Sequence, residues 1–468
     1  MDLNQLTIAE ALEGLRGKKF SSVDIAKACL EQIRKHNEDI NAFITVDEKG
    51  ALEQAESADK QRANGEELPF LGIPIALKDI FLTKGLKTTA ASKVLENYIP
   101  QYDATVVAKL KDAGAIIIGK INCDAWAHGS SGENSDFGPT KNPWSKEHVP
   151  GGSSSGSAAA LAADMCLAST GTDTGGSIRL PASFNNLVGL KPTYGRVSRY
   201  GIIAMASSLD SIGHFTKTVE DSALLLSVTA GSDPHDATTP DKTVSNYSKI
   251  ENGVKGLKIG VPKEYFASGL DSEIKEKTEA VIKKLEELGA EVVDISLPNT
   301  QYAIAAYYII MSSEVSSNLA RYDGIRFGND RSFFGDEAKR RIMFGTFTLS
   351  AGYYDAYYKK AMQVRTLIKQ DFEKAFEKVD AIISPVSPTA PWKLGEKVND
   401  PLKMYLSDIF TVTANLAGIP SLAVPAGFSN GLPIGIQIMG TQFSEEKLFQ
   451  VGYAFEQATE YYKHTPKL

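Results

Sequence analysis

Cysteine is scarce in this sequence, and its scarcity excludes two kinds of site. Of 468 residues only three are cysteine, Cys29, Cys123 and Cys166, and no two of them form a C-x-x-C pair. Neither a disulfide framework nor a thiolate zinc site is therefore expected, and buried thiols in a reducing cytoplasm are the simplest interpretation. We expect no metal ion and no cofactor in this chain.

The sequence also lacks a long apolar run and an excess of positive charge. No apolar stretch approaches the roughly 20 residues of a membrane-spanning helix, so no membrane contact is expected. The formal net charge of −7 argues against a chain that binds nucleic acid by itself, because nucleic-acid-binding domains are usually basic. The N-terminus is acidic and helix-patterned, unlike a secretory signal, which together with the free thiols predicts a cytoplasmic protein.

Short apolar segments alternate with helical patterns, which predicts an α/β fold. The apolar run LGIPIAL (71–77) predicts a buried strand, and 115–118 predicts a second one after a short helix over 105–111. This strand–helix–strand order indicates a sheet with both faces covered. Further strands are expected at 257–261, 291–295, 381–384, 421–424 and 435–439, and further helices at 272–288 and 355–379.

No internal repeat, low-complexity linker or clear domain boundary interrupts the sequence. We therefore expect a single α/β domain over residues 1–468. Its first part, residues 1–65, is predicted to be helical, since Ile25, Cys29 and Ile33 recur at a spacing of four.

Glycine, serine and threonine dominate residues 150–181, PGGSSSGSAAALAADMCLASTGTDTGGSIRLP. Composition predicts loops over 151–157 and 171–177, on either side of a helix at 158–164 and a strand at 165–168. Such a unit can bring both loops to the same edge of a sheet.

The first of these loops has several interpretations. A glycine–serine loop that opens a helix can bind an anion through its N–H groups, but this one lacks the G-K-[ST] ending of a P-loop. Residues 152–156 also match the G-x-S-x-G nucleophile elbow. That motif requires a preceding strand, and the preceding residues 147–150, EHVP, do not favour a strand. A plain flexible linker is the third possibility.

The second loop contains a candidate nucleophile and candidate oxyanion donors. Thr174, Gly175, Gly176 and Ser177 could point their N–H groups into one hole, and glycine allows the dihedrals that such a turn needs. Cleavage of an amide requires donors aimed at the oxyanion that forms on attack, with a serine close by. A tight glycine turn without chemistry is the alternative.

Lysine is a better candidate than histidine for the base. The six histidines lie in no recognised catalytic motif: His36, His128, His148, His214, His235 and His464. Lys78 ends the apolar segment IPIALK, where desolvation would lower its pKa and make a neutral amine available as a base. A solvent-exposed lysine at a strand end is the alternative.

These segments resemble the amidase signature family: IALKD, then GGSSSGSAAALAA, then GTDTGGSIRLPAS. The resemblance implies a large mixed, twisted β-sheet covered by helices on both faces. It also implies a Ser–Ser–Lys triad with Ser177 as nucleophile, Ser153 as the bridging serine after a cis peptide at Gly152, and Lys78 as base. The two serines are 24 residues apart (177 − 153), as in the family, whereas Ser155 stands where the family commonly has glycine.

Longer segments resemble one branch of this family, whose members hydrolyse glutamine as part of a tRNA-dependent amidotransferase. The segments are 189–201, 206–213, 312–328 and 339–361. By this resemblance Arg341 would pair with the α-carboxylate of glutamine, Asp408 with its α-amino group, and Tyr307 would add a polar contact. Alternatively, Arg341 is one charge of an exposed KRR run and Asp408 is a solvated helix residue.

The same resemblance implies partners. B and C subunits would complete a heterotrimer, and the B subunit would use ATP, magnesium and the released ammonia to convert Glu-tRNA(Gln) to Gln-tRNA(Gln). This chain would then meet tRNA only indirectly, through the B subunit. Two other functions stay open: a stand-alone amidase of small or hydrophobic amides, and a non-catalytic scaffold subunit whose glycine loops bind anions.

Overall fold

Eleven strands within the described residues form one sheet. The computed structural model describes residues 2–245, 247, 250–266, 269–322, 324 and 328–468. The strands are β1 Phe43–Val46, β2 Pro74–Lys78, β3 Ile116–Ile121, β4 Ala168–Asp173, β5 Val188–Lys191, β6 Ser211–Thr216, β7 Lys258–Pro262, β8 Glu291–Ile295, β9 Ala381–Pro385, β10 Ser421–Ser429 and β11 Leu432–Met439.

The sheet is mixed, with the strand order β1-β3-β2-β4-β6-β5-β10-β11-β9-β7-β8. Its strands β3, β2 and β4 run parallel, as do β9, β7 and β8. Antiparallel pairs join these two parts through the centre and add β1 at one edge. The predicted α/β fold on a large mixed sheet is confirmed.

Helices surround this sheet. They are α1 Ile8–Arg16, α2 Ser22–Ile40, α3 Glu48–Ala63, α4 Thr105–Asp112, α5 Ser155–Ala162, α6 Arg179–Phe184, α7 Val219–Thr229, α8 Ser272–Glu287, α9 Ala303–Asn318, α10 Asp336–Leu349, α11 Lys360–Phe376, α12 Pro401–Leu406, α13 Val412–Ala417 and α14 Glu445–Thr459. Across the described stretches, none of them combines the length and apolar character that crossing a bilayer would take.

Some local predictions differ from the structure. The strand expected at 165–168 begins only at Ala168 and continues as β4 to Asp173, so the first three residues of the predicted loop 171–177 are strand. All six residues of β4 are buried between β2 and β6, where their small side chains fit. Composition alone could not show this, because glycine and threonine are equally common in loops. The predicted helical segment 1–65 also contains β1, which pairs with β3.

The arrangement of β2, β4 and α5 positions the two glycine–serine loops at one sheet edge. Strands β2 and β4 are parallel neighbours, so their carboxyl ends, Lys78 and Asp173, lie on the same side. Helix α5 begins at Ser155, inside the predicted loop 151–157, so residues 151–154 form the loop that precedes it. In open α/β sheets this edge is where ligands commonly bind.

We expect Gly345→Ala to destabilise the protein, because helices α9 and α10 are in close contact at this glycine. A β-carbon added at Gly345 would lie 1.9 Å from the carbonyl oxygen of Ser312. Forcing the helices apart should lower the free energy of unfolding by about 1–3 kcal/mol. Chemical denaturation measures the loss.

Gly335→Ala, before the start of the same helix, is the matched control. There the nearest atom to an added β-carbon, Asp136 Oδ1, is 3.6 Å away, which is an ordinary contact. Equal denaturation midpoints for the two variants would contradict the prediction.

Candidate active site

Lys78 is fully buried, so it is not the solvent-exposed lysine of the alternative interpretation. Its Nζ lies 2.9 Å from Ser153 Oγ, 3.0 Å from Ser154 Oγ and 3.0 Å from Thr172 Oγ1. Burial lowers the pKa of Lys78 to about 8, against the opposing field of acidic groups. Those groups are Cys123, Asp124, Asp173 and Asp210. About a tenth of the amine is therefore neutral at pH 7, far more than for an ordinary lysine.

The hydrogen-bonding capacity of these groups indicates where the lone pair of a neutral Lys78 points. A neutral amine has two N–H donors and one lone pair. Ser154 Oγ uses its own proton to donate to the carbonyl oxygen of Thr172, at 3.2 Å, so it accepts from the amine. If Thr172 Oγ1 accepts the other N–H, the lone pair faces the Ser153 hydroxyl. Lys78 can then take a proton from Ser153.

The Ser153 backbone is held in an unusual conformation by its neighbours. The peptide bond between Gly152 and Ser153 is cis, which confirms the conformation that the family resemblance implies. The N–H of Asp124 donates to the Ser153 carbonyl oxygen at 3.0 Å. The Asp124 carboxylate in turn accepts from the N–H groups of Gly132 at 3.0 Å and Asn134 at 2.9 Å. No strand directly precedes this loop in the described chain, which argues against the nucleophile elbow.

The loop from Thr174 to Ser177 presents its backbone donors without internal partners. Within the described residues, the four N–H groups donate to no protein acceptor, so they can bind an oxyanion. Gly176 has φ +145, and an added β-carbon would collide with Thr411, so only glycine fits there. The Thr411 hydroxyl also donates to the carbonyl oxygen of Gly175 at 2.6 Å and fixes the loop from outside.

Ser177 lies beside the Lys78 cluster through its backbone. The N–H of Ser154 donates to the Ser177 carbonyl oxygen at 3.2 Å, which joins the two loops. The structure brings Lys78 and Ser153 into hydrogen-bonding contact, but in the described part of the chain the Ser177 hydroxyl makes no hydrogen bond to either. Ser177 is largely buried, with 9% of its surface exposed.

A buried ion pair that the sequence interpretation missed fixes both ends of this loop. Asp173 and Arg179 form two hydrogen bonds of 3.0 Å, and Arg179 also donates to Gln437 and Asn415 at 2.7 Å each. The Asp173 carboxylate accepts from the N–H of Ile178 as well, at 3.2 Å. Burial alone would raise the pKa of Asp173, but the Arg179 guanidinium outweighs it and holds this pKa at about 2.

Arg341 and Asp408 are both buried, so neither is the solvated residue of the alternative interpretation. Arg341, on α10, donates from Nε to Glu337 at 2.8 Å, and its guanidinium lies 5.8 Å from the centre of the Tyr308 ring. Asp408 accepts from the Ser130 hydroxyl at 2.9 Å and from the Tyr308 hydroxyl at 3.0 Å. Burial raises the pKa of Asp408 to about 7, although both hydroxyls oppose the shift.

A polar cavity of about 390 Å³ lies beside Arg341 and the two residues whose hydroxyls bind Asp408. Arg341, Tyr308 and Ser130 line it. The Tyr307 ring packs beside Tyr308, with 5.0 Å between ring centres, and lies against Gly175, where an added β-carbon would be 2.5 Å from the Tyr307 hydroxyl. Through Tyr307, the charged pocket adjoins the loop that carries Ser177.

Several residues that contact the predicted site residues were not themselves predicted, although the strand pattern indicated one of them. Thr172 is two residues after Thr170, and alternate residues of a strand share a face. Both threonines meet Lys78, since Thr170 Oγ1 accepts from its backbone N–H at 3.0 Å. Asp124, Ser130 and Glu337 gave no comparable signal, because they come from distant segments that only the fold brings together.

Comparison with known proteins finds a family and full-length relatives. The Amidase family profile matches residues 24–449. The A subunit of the glutamyl-tRNA(Gln) amidotransferase of Geobacter metallireducens is 56% identical over 100% of this chain and 99% of that protein. The crystal structure of the A subunit of the Thermotoga maritima glutamyl-tRNA(Gln) amidotransferase has a TM-score of 0.83 at 45% identity, covering 98% of this chain and 95% of that chain. A bacterial aryl acylamidase of the amidase signature family has a TM-score of 0.88 at 25% identity, covering 98% and 97%.

We expect Asp173→Asn to lower the free energy of unfolding by about 3–5 kcal/mol, because it leaves the buried Arg179 charge without its partner. Denaturation followed by circular dichroism measures the loss. Glu287→Gln, which removes an ion pair with Lys284 at the surface of α8, is the control and should change stability little. Losses of the same size in both variants would show that the buried pair has no special role.

Proposed function

The chain belongs to the amidase signature family, and we propose that it is the glutamine-hydrolysing subunit of a glutamyl-tRNA(Gln) amidotransferase. The observation that carries this proposal is the cavity lined by Arg341 and by the hydrogen-bonding partners of Asp408, which adjoins the Ser177 loop through Tyr307. A free amino acid carries one negative and one positive group, and Arg341 and Asp408 offer a partner for each. The full-length similarity to subunits of that name supports the same substrate.

Glutamine would bind with its backbone groups at the charged end of the cavity. The Arg341 guanidinium would hold the α-carboxylate. Glu337 engages its Nε and Met311 Sδ accepts from its Nη1 at 3.4 Å, which leaves the N–H groups of Nη2 available. Asp408 would hold the α-ammonium group, and Tyr307 would contact the bound amino acid through its hydroxyl. The side-chain carboxamide then extends toward Ser177. A small or hydrophobic amide, the substrate of a stand-alone amidase, would leave both charges unmatched.

Hydrolysis would proceed through an ester on Ser177. Ser177 Oγ attacks the carboxamide carbon, while its proton passes to Ser153 and the proton of Ser153 passes to neutral Lys78. The N–H groups of residues 174–177 stabilise the oxyanion. The proton returns through Ser153 to the nitrogen, the C–N bond breaks and ammonia leaves. Water then cleaves the glutamyl ester, which releases glutamate and restores the Ser177 hydroxyl.

The ammonia would be used by a partner subunit. In the proposed heterotrimer, a B subunit uses ATP and magnesium to activate the glutamate of Glu-tRNA(Gln), and a C subunit holds this chain and the B subunit together. This chain, as a single domain over residues 1–468, would supply ammonia and meet tRNA only through the B subunit. Its three buried thiols fit a cytoplasmic setting.

Ser177→Ala in the reconstituted heterotrimer should abolish Gln-tRNA(Gln) formation from glutamine, because no other hydroxyl replaces the nucleophile. Formation from added ammonium salt should continue, since that step takes place in the partner. Charged-tRNA analysis with each nitrogen source measures both. Simultaneous loss of both activities would rule out ammonia transfer.

Two comparisons separate the competing functions in the same preparation. Wild-type enzyme should hydrolyse glutamine and leave neutral aryl amides intact, whereas preference for the aryl amide would favour the stand-alone amidase. An electrophilic glutamine analogue should add mass to wild type and not to Ser177→Ala. Without any mass addition to wild type, the scaffold interpretation would stand.

The rate of glutamine hydrolysis should rise with pH until the Lys78 amine is neutral. Because the neutral form is active, kcat/KM should fall as pH drops below about 8, the pKa of this buried amine. Lys78→Arg should be inactive at every pH, since a guanidinium stays charged. Lys284→Arg on the surface of α8 should keep the wild-type profile. A flat wild-type profile from about pH 6 to about pH 9, a range that includes this pKa, would exclude Lys78 as the base.

A further inference from the structure

The segment from Ser130 to Gly132 connects the two halves of the site. Its first residue, Ser130, donates through its hydroxyl to both oxygens of Asp408 in the charged pocket. Its last residue, Gly132, donates its N–H to Asp124, whose own N–H holds the Ser153 carbonyl oxygen. Ser131 therefore stands between the group proposed to bind the α-ammonium and the loop that carries the bridging serine.

The Ser131 side chain is buried without a protein partner. Its exposed fraction is 1%, and within the described residues its Oγ makes no hydrogen bond. Among the described residues, two other buried hydroxyls share this property, those of Ser211 and Thr389, but neither residue lines the cavity. Ser131 does line it. A buried hydroxyl without a partner is costly, and one that belongs to a residue lining a cavity points to a contact with a ligand there.

The backbone of Ser131 also lies against the residue that precedes Ser153. A β-carbon added at Gly152 would be 2.9 Å from the Ser131 nitrogen. Ser131 thus adjoins, through its backbone, the loop that carries the bridging serine. In the proposed binding mode, the part of glutamine that extends toward this loop is its carboxamide.

We propose that Ser131 Oγ accepts a hydrogen bond from the carboxamide N–H of the substrate. This inference rests on the proposed attack of Ser177 on a carboxamide. The N–H groups of the donor loop take the carbonyl oxygen, so the two N–H groups of the amide require acceptors elsewhere in the site. A serine hydroxyl has two lone pairs for this purpose. The contact would orient the nitrogen toward Ser153 and select primary amides over substrates without N–H.

An amide and an ester of the same acid test this contact. In the assembled enzyme, Ser131→Ala should lower kcat/KM for glutamine roughly tenfold, the effect of one hydrogen bond lost in a buried site. Hydrolysis of the γ-methyl ester of glutamate, which has no N–H at this position, should keep its wild-type kcat/KM. The glutamine-to-ester ratio is therefore the measured quantity, and Ser131→Thr, which keeps the hydroxyl, should restore it.

Ser130→Ala provides the contrast. It removes a partner of Asp408, so both substrates should lose kcat/KM alike and their ratio should not change. Equal losses on both substrates in Ser131→Ala, or no loss on either, would overturn the inference. Thermal unfolding checks each variant, and Ser131→Gly makes the same deletion if alanine is not tolerated. A wild-type enzyme that hydrolyses neither substrate would refute the proposed function itself.

Discussion

The burial of one amine controls the rest of this site. Lys78 is removed from water at the end of β2, and its only close polar partners among the described side chains are three hydroxyls. An ammonium in that position lacks a carboxylate in direct contact, so burial favours the neutral form. A hydroxyl cluster alone could not replace this effect, because it is the exclusion of water that gives the amine a free lone pair near neutral pH.

The exclusion of water from the amine requires rigid surroundings, and two buried acids contribute to them. Asp173 pairs with Arg179 at the donor loop, and the N–H of Asp124 donates to the Ser153 carbonyl oxygen at the cis peptide. The pKa values of these two acids differ. The Arg179 guanidinium keeps the pKa of Asp173 at about 2, whereas burial without a cationic partner in contact raises the pKa of Asp124 to about 7. Asp124 is thus only partly ionised near neutral pH, which limits how far its field can raise the pKa of Lys78.

The sequence predicted which residues meet at this site better than it predicted the elements around them. Lys78, Ser153 and the loop 174–177 lie in short motifs, and a helix was expected over 272–288. The true limits of β4 were not, since small residues that pack between strands look the same as loop residues. Asp124, Ser130 and Glu337 were also out of reach, because their roles follow from contacts over long sequence separations. Asp408 lies 278 residues from Ser130. Such pairs depend on the complete fold.

This division between local motif and distant contact also explains how one catalytic core can accept different substrates. The amine, the two loops and their ion pair come from residues 78–179, while Arg341 comes from α10 and Asp408 from the turn between α12 and α13, both far along the chain. Arg341 is balanced by Glu337 one helical turn away, whereas Asp408 is held only by the hydroxyls of Ser130 and Tyr308 among the described residues. The pocket therefore carries a cation already paired and an acid that still gains from a positive partner. Changing either segment would alter which acyl group is held while leaving the groups that cleave the amide in position.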